Sequence, residues 1–190
     1  MQMPLTLRRW QRAEYDRLVE LGVFEGEPLE LIGGQLVVAE PQGSHHASAI
    51  TKVDYAVRAV LPPGWIVRVQ APLSLDVESE PEPDVVVVAG RPGDYRESHP
   101  VRPVLVIEVA ESSLEFDRTQ KGSLYARAGI TDYWIVNLAE GAVEVRRDPA
   151  RDTSAVFGWA YRSVSRLTPP ATVAPLAFSS IRIPIADLLP

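Results

Sequence analysis

The sequence predicts a mixed α/β fold, a sheet flanked by helices. Two runs rich in β-branched residues, the uninterrupted apolar Val85 to Val88 and the otherwise apolar Val104 to Val109, read as buried strands. Helical stretches alternate with them, and at least one pair of strands lies close enough in the chain to be antiparallel, which argues against a doubly wound parallel sheet. With 190 residues and no repeat, heptad run or long low-complexity segment, the chain is expected to form one domain over 1–190.

Thr6 is expected to cap a first helix through about Leu21, with Leu7, Trp10, Leu18 and Leu21 on one apolar stripe. Gly33-Gly34 between LELI and QLVV marks a β-hairpin. Ser44 or His45 opens a second helix through about Val60, ended by Pro62-Pro63-Gly64. Trp65 to Gln70 reads as a strand, and Leu73 to Asp76 as a short continuation. After the irregular stretch Ala89 to Pro103 and the strand Val104 to Val109, Ser112 and Glu115 have capping-box spacing for a third helix through Ala128, stopped at Gly129. Asp132 to Leu138 and Ala142 to Arg147 read as strands joined around Glu140-Gly141, with further C-terminal extended segments.

Composition narrows the function. A hydrophobic share of 46% and a charged share of 23% are those of a soluble globular protein. No stretch approaches the roughly 20 apolar residues of a membrane span, and Met1 to Trp10 lacks a signal peptide's apolar core, so the cytoplasm is expected. The absence of cysteine excludes disulfides, thiolate nucleophiles and sulfur-ligated zinc. A net charge of -6 and a pI near 5.1 have the wrong sign for coating nucleic acid with the whole surface. A local basic face stays open, and Arg91, Arg96 and Arg102 are its candidates for phosphate contacts.

Carboxylates remain as the chemical groups. Strand alternation puts Val104, Val106 and Glu108 on one face, so Glu108 is a charge on an otherwise apolar strand, costly to bury without a partner or a metal. Asp84, after Pro83, stands at the entrance of the other apolar strand, while Glu78, Glu80 and Glu82 before it read as a solvated acidic turn. If those two strands are antiparallel neighbours, Asp84 and Glu108 converge, and two such oxygen ligands suit magnesium or manganese. Glu30 sits on the hairpin; an ordinary edge-strand glutamate is its plain alternative. Lys121, with Lys52 one of only two lysines among 19 basic residues, lies in the third helix about 12 Å from its start. Asp117, four residues earlier, offers it a helical ion pair, while a functional role would have it orient a water or stabilise charge on a phosphate. Tyr125, one turn on, could bond the same group or simply pack. His45 and His46 are adjacent and cannot chelate as an i, i+4 pair would. No nucleophile elbow, P-loop or dinucleotide-binding glycine pattern occurs.

Taken together, LELIGGQLVV, EPDVVVV, VLVIEVAESS and DRTQKGSLYARAGITDYWIVN resemble the bacterial Uma-two family, whose members are classed with the restriction endonucleases. The resemblance runs from about Leu5 to the C-terminal strands. It implies the PD-(D/E)XK nuclease fold, here with an N-terminal helix and hairpin and extra C-terminal strands. Pro83-Asp84 matches the PD pair, Glu108 the (D/E) and Glu30 an acidic hairpin position; His46 falls where the family often has a histidine. Ala110 stands where the superfamily's lysine is expected. The family resembled is also apolar there, and its helical lysine matches Lys121.

The leading expectation is a Mg2+- or Mn2+-dependent nuclease acting on nucleic acid, DNA first. Asp84, Glu108 and the Val109 carbonyl would hold the metal, Lys121 would orient water, and Glu30 would serve as auxiliary ligand or base. His46, Tyr125 and the three arginines would contact substrate, and a duplex cut on both strands favours a homodimer. The alternative, favoured by Ala110, is a catalytically silent module of the same fold that binds nucleic acid or a protein partner.

Overall fold

From the N-terminal side, α1 (Arg12–Glu20) leads to a hairpin of β1 (Leu29–Ile32) and β2 (Gln35–Val38), followed by α2 (Ser44–Arg58). Strands β3 (Trp65–Val69), β4 (Val85–Ala89) and β5 (Leu105–Ala110) come next. A helical crossover of α3 (Leu114–Phe116), a π-helical turn (Asp117–Lys121) and α4 (Gly122–Arg127) leads to β6 (Asp132–Asn137), β7 (Ala142–Arg151) and β8 (Trp159–Leu167). The chain continues through β9 (Thr172–Val173), β10 (Ile183–Pro184) and α5 (Ile185–Leu188). This computed structural model describes residues 6–39 and 43–190; the reading of Met1 to Trp10 falls partly outside them.

Strands β3 to β8 form one sheet in chain order. All its neighbours are antiparallel except β5 and β6, and a parallel pair needs a long crossover, which the helical segment supplies. Alternation sorts the strand residues onto two faces. Val85, Val87, Leu105, Ile107 and Val109 pack under α2 and α5. On the opposite face Val86, Val88, Val106 and Ala110 pack with Tyr125 and Ala126 of α4. Glu108 therefore points into the second layer, beneath the crossover.

The hairpin forms its own two-stranded sheet. Gly33 and Gly34 both have positive φ, 56° and 77°, the conformation a tight two-residue hairpin turn demands. The hairpin is tied to the segment before β4: Glu80 N–H donates to the Leu31 carbonyl at 2.7 Å and Gly34 N–H to that of Glu78 at 2.7 Å. These bonds fix Glu30 relative to the sheet.

Three local expectations are corrected. The first helix begins at Arg12, with Gln11 and Glu14 forming its capping box. Leu7 and Leu21 are 83% and 62% exposed, and Tyr15 is the helix's buried residue; its hydroxyl donates to the Leu29 carbonyl at 2.7 Å, so one aromatic docks the helix instead of a stripe. Leu73 to Asp76 joins no sheet, because this segment folds back on its own continuation through Leu73 N–H to the Pro81 carbonyl and Leu75 N–H to that of Ser79. The third helix is broken by the π turn, and its cap residue is Ser113, whose hydroxyl donates to Asp117 Oδ2 at 2.6 Å.

Away from the carboxylates near Glu108, Asp132 is fully buried. It accepts bonds from Trp134 Nε1 at 2.8 Å, Arg147 Nε at 2.8 Å and Leu176 N–H at 2.7 Å, joining β6, β7 and the C-terminal segment. Removing the acceptor strands three donors. Asp132→Ala is expected to cost roughly 2–3 kcal/mol, read as a lower urea midpoint at unchanged slope.

Candidate active site

The pairing of β4 with β5, Val85 opposite Ile107, brings the start of one strand to the end of the other. Asp84 and Glu108 meet there: Asp84 N–H donates to Glu108 Oε2 at 3.3 Å, and Val109 N–H to Asp84 Oδ2 at 2.8 Å. Continuing the register places Pro83 opposite Val109. Proline has no N–H to offer the ladder, so β4 supplies no donor to the Val109 carbonyl.

Both carboxylates are buried, 8% and 2% exposed. Burial pushes the Glu108 carboxyl well above its ordinary pKa, opposed by Lys121 and reinforced by Asp84. Its partners come from the crossover: Lys121 Nζ lies 3.0 Å from Oε1, and the Tyr125 hydroxyl donates to the same oxygen at 2.6 Å. Lys121 also reaches Glu30 Oε1 at 3.3 Å, while Glu30 Oε2 accepts the Glu82 N–H at 3.0 Å. Burial disfavours the ammonium, but Glu108 and Glu30 outweigh it, so the Lys121 pKa is raised.

The π turn explains this reach. It adds a residue to the helical ring, so Asp117 and Lys121 no longer stack as an i, i+4 pair. Among the described residues, the ammonium's ion pairs are with Glu30 and Glu108. The expected pairing with Asp117 is not made within ion-pair distance.

These groups form the floor of a cavity of about 770 Å3. Its lining holds Glu30, Glu82, Asp84, Glu108, Glu111 and Asp117 against Lys121 and His46. Sequence reasoning missed three of these acids as site residues. Asp117 was read as a helical salt-bridge partner, Glu82 as part of a solvated acidic turn, and Glu111 carried no signal.

His46 overhangs Asp84, with Nε2 3.5 Å from Oδ2. Asp84 raises the imidazole's pKa by hydrogen bonding, against the opposing effect of burial. Nε2 is shielded from solvent and faces the Asp84 carboxylate.

Tyr125 and the three arginines fall elsewhere than expected. Tyr125 is fully buried and lies behind Glu108, holding it rather than lining the cavity. Arg91, Arg96 and Arg102 sit on the loop joining β4 to β5. Antiparallel pairing sends that loop to the opposite end of the strands from Asp84 and Glu108, roughly 16 Å away for five residues, and none of the three lines the cavity. Lys52, the other lysine, donates to the Leu189 carbonyl.

Among the described residues, no three His, Asp or Glu side chains form a ready-made metal cage. Magnesium does not require one, since it binds through one or two carboxylates and keeps several waters. Asp84, Glu108 and the Val109 carbonyl fit that need, in a cavity whose negative charge exceeds its positive charge.

The fold and site together are a six-stranded mixed sheet whose β4–β5 junction gathers acidic residues beside a buried lysine. The chain belongs to the Uma2 family, described as "putative restriction endonuclease", matching it over residues 12–186. Among solved structures it is similar to a protein from Anabaena variabilis ATCC 29413 described as "a putative nuclease belonging to DUF820", at 19% identity and a TM-score of 0.63, covering 84% of this chain and 88% of that one. No curated protein matches. No described helix is long and apolar enough to cross a membrane.

Burial raises Asp117 from the ordinary 3.8 to about 6, opposed by Lys121 and the Ser113 hydroxyl. Between those values the folded chain holds a proton that the unfolded chain has released. This group's contribution to stability therefore grows as pH falls through about 6 and is complete below about 4. Asp117→Asn is expected to flatten the metal-free dependence of the urea midpoint on pH between 4 and 6.5 relative to wild type; an unchanged slope contradicts the assignment.

Proposed function

We propose that the chain is a metal-dependent nuclease of the PD-(D/E)XK type, with 1–190 as one restriction-endonuclease-like domain acting in the cytoplasm on nucleic acid, DNA first. The observation that carries this reading is the convergence of Asp84, Glu108 and Lys121 on one cavity floor. Asp84, Glu108 and the Val109 carbonyl hold a divalent ion, Mg2+ or Mn2+, and His46 faces the same position. The bound ion supplies polarisation of the phosphodiester and a lowered pKa for a water.

The protein's own groups do the rest. Lys121, set against Glu108 and Glu30, donates hydrogen bonds and positive charge to a water or a phosphate oxygen. Glu30 aims Lys121, and Tyr125 fixes the Glu108 carboxylate through its hydroxyl. Ala110, fully buried in the layer beneath α4, leaves the strand without the superfamily's lysine, and the crossover delivers an ammonium to Glu108 instead. The geometry thus favours a working site over the silent-module reading. Cutting both strands of a duplex favours a homodimer.

Titration with Mn2+ or Mg2+ should raise the thermal midpoint of wild type and leave Asp84→Ala and Glu108→Ala unmoved. Cleavage of supercoiled, linear and single-stranded substrates should depend on the ion and vanish in both variants. Lys121→Met should keep ion binding and lower kcat about 100-fold or more. Wild type that neither binds the ion nor cuts sinks the nuclease and leaves the binding module.

Tyr125→Phe removes one hydrogen bond to Glu108 and leaves the ring in place. Ion affinity should fall about 10-fold or more, with the fold retained by near-ultraviolet circular dichroism. An affinity equal to wild type would show that Lys121 and the Asp84 N–H hold the carboxylate without the hydroxyl.

A further inference from the structure

The cavity carries apolar surface that the fold itself does not use. Phe116 at the end of α3 lines it, as do Leu29, Val37 and Val38 on the hairpin. None of the four belongs to either hydrophobic core or packs against one. Phe116 is half-buried, and its ring pairs with no other aromatic ring among the described residues. Val38 is 64% exposed.

Charge narrows what this surface can receive. Among the described residues the lining holds no arginine, and its one lysine is engaged by Glu108 and Glu30. Apart from the bound ion, Lys121 and His46, the cavity therefore offers backbone phosphates none of the cationic surface through which many proteins bind nucleic acid. The remaining source of affinity is the flat face of a base, which stacks on aromatic and apolar side chains whatever its sequence.

Depth narrows it further. Asp84 and Glu108 lie at the floor, 8% and 2% exposed, so a phosphodiester reaches them only by entering the recess. A base next to it cannot follow while it remains stacked in a duplex. The volume, about 770 Å3, is that of a small-ligand site and suits a nucleotide.

Resting on the nuclease reading, we infer that the recess lined by Phe116 and by Val37, which shares the hairpin face of Glu30, is a nucleobase subsite. It holds one unpaired base beside the scissile phosphodiester, so the preferred substrate is single-stranded or locally unpaired nucleic acid. Gln70 stands on the same lining and supplies a polar group for the base edge. It has a left-handed φ of 46°, unusual for a residue other than glycine, and its N–H donates to the Asp84 carbonyl at 3.1 Å. Its side-chain amide makes no hydrogen bond among the described residues and offers both a donor and an acceptor.

The test uses the full chain with Ca2+ in place of Mg2+ or Mn2+ to hold back cleavage, and a single-stranded DNA carrying 2-aminopurine. Binding should quench the probe, and the same sequence as a duplex should bind at least 10-fold more weakly. Phe116→Ala should weaken single-strand binding about 5- to 150-fold at an unchanged thermal midpoint, and Phe116→Tyr should restore it. Should Phe116→Ala lower the midpoint, Val37→Asp, on the hairpin face that carries Glu30, is expected to give the same loss. Equal affinity for duplex and single strand, wild-type affinity in the variant, or no single-strand binding overturns the subsite. Cleavage is measured separately with Mn2+. Quenching without cutting removes the nuclease and leaves the base subsite, whereas cutting that is indifferent to Phe116 does the reverse.

Discussion

One buried carboxylate organises this molecule. Glu108 lies in the middle layer of the fold, on a strand whose other side chains are apolar, and a charge there is costly unless other groups meet it. The surrounding architecture meets it from three directions: Asp84 N–H from β4, and Tyr125 and Lys121 from the crossover. Lys121 in turn requires a second anion, which the hairpin provides as Glu30. The N-terminal hairpin, the central sheet and the crossover are thus bound to one another by electrostatic need as well as by apolar packing.

The acidic pair was legible because a carboxylate inside or beside an apolar β-branched run has few structural explanations. Antiparallel pairing of the two runs then sufficed to bring Asp84 to Glu108. That pairing also implies that the loop between the two runs lies at the far end of the strands, so the position of Arg91, Arg96 and Arg102 could have been deduced from the same premise. Tyr125 was placed on the correct helical face but on the substrate side of Glu108, because periodicity gives a direction and no depth.

Lys121 shows where pattern reasoning fails. The i, i+4 rule that paired it with Asp117 assumes α-helical geometry. A π turn has no reliable sequence mark; it is recognisable only when the chain on either side is seen to pack. Asp117 was missed for the same reason. The first helix failed differently: its leucines have helical spacing, yet nothing lies opposite them, and one tyrosine hydroxyl decides where the helix docks.

The sequence separations within the centre give it an order of assembly. Asp84 and Glu108 are 24 residues apart and belong to neighbouring strands, whereas Lys121 and Glu30 are 91 apart. Closing the longer loop costs more chain entropy, and it requires the hairpin to have docked. By the same measure Lys121, 13 residues from Glu108, meets it at the least cost, and the complete charge arrangement exists only once the longest contact, that with Glu30, has closed.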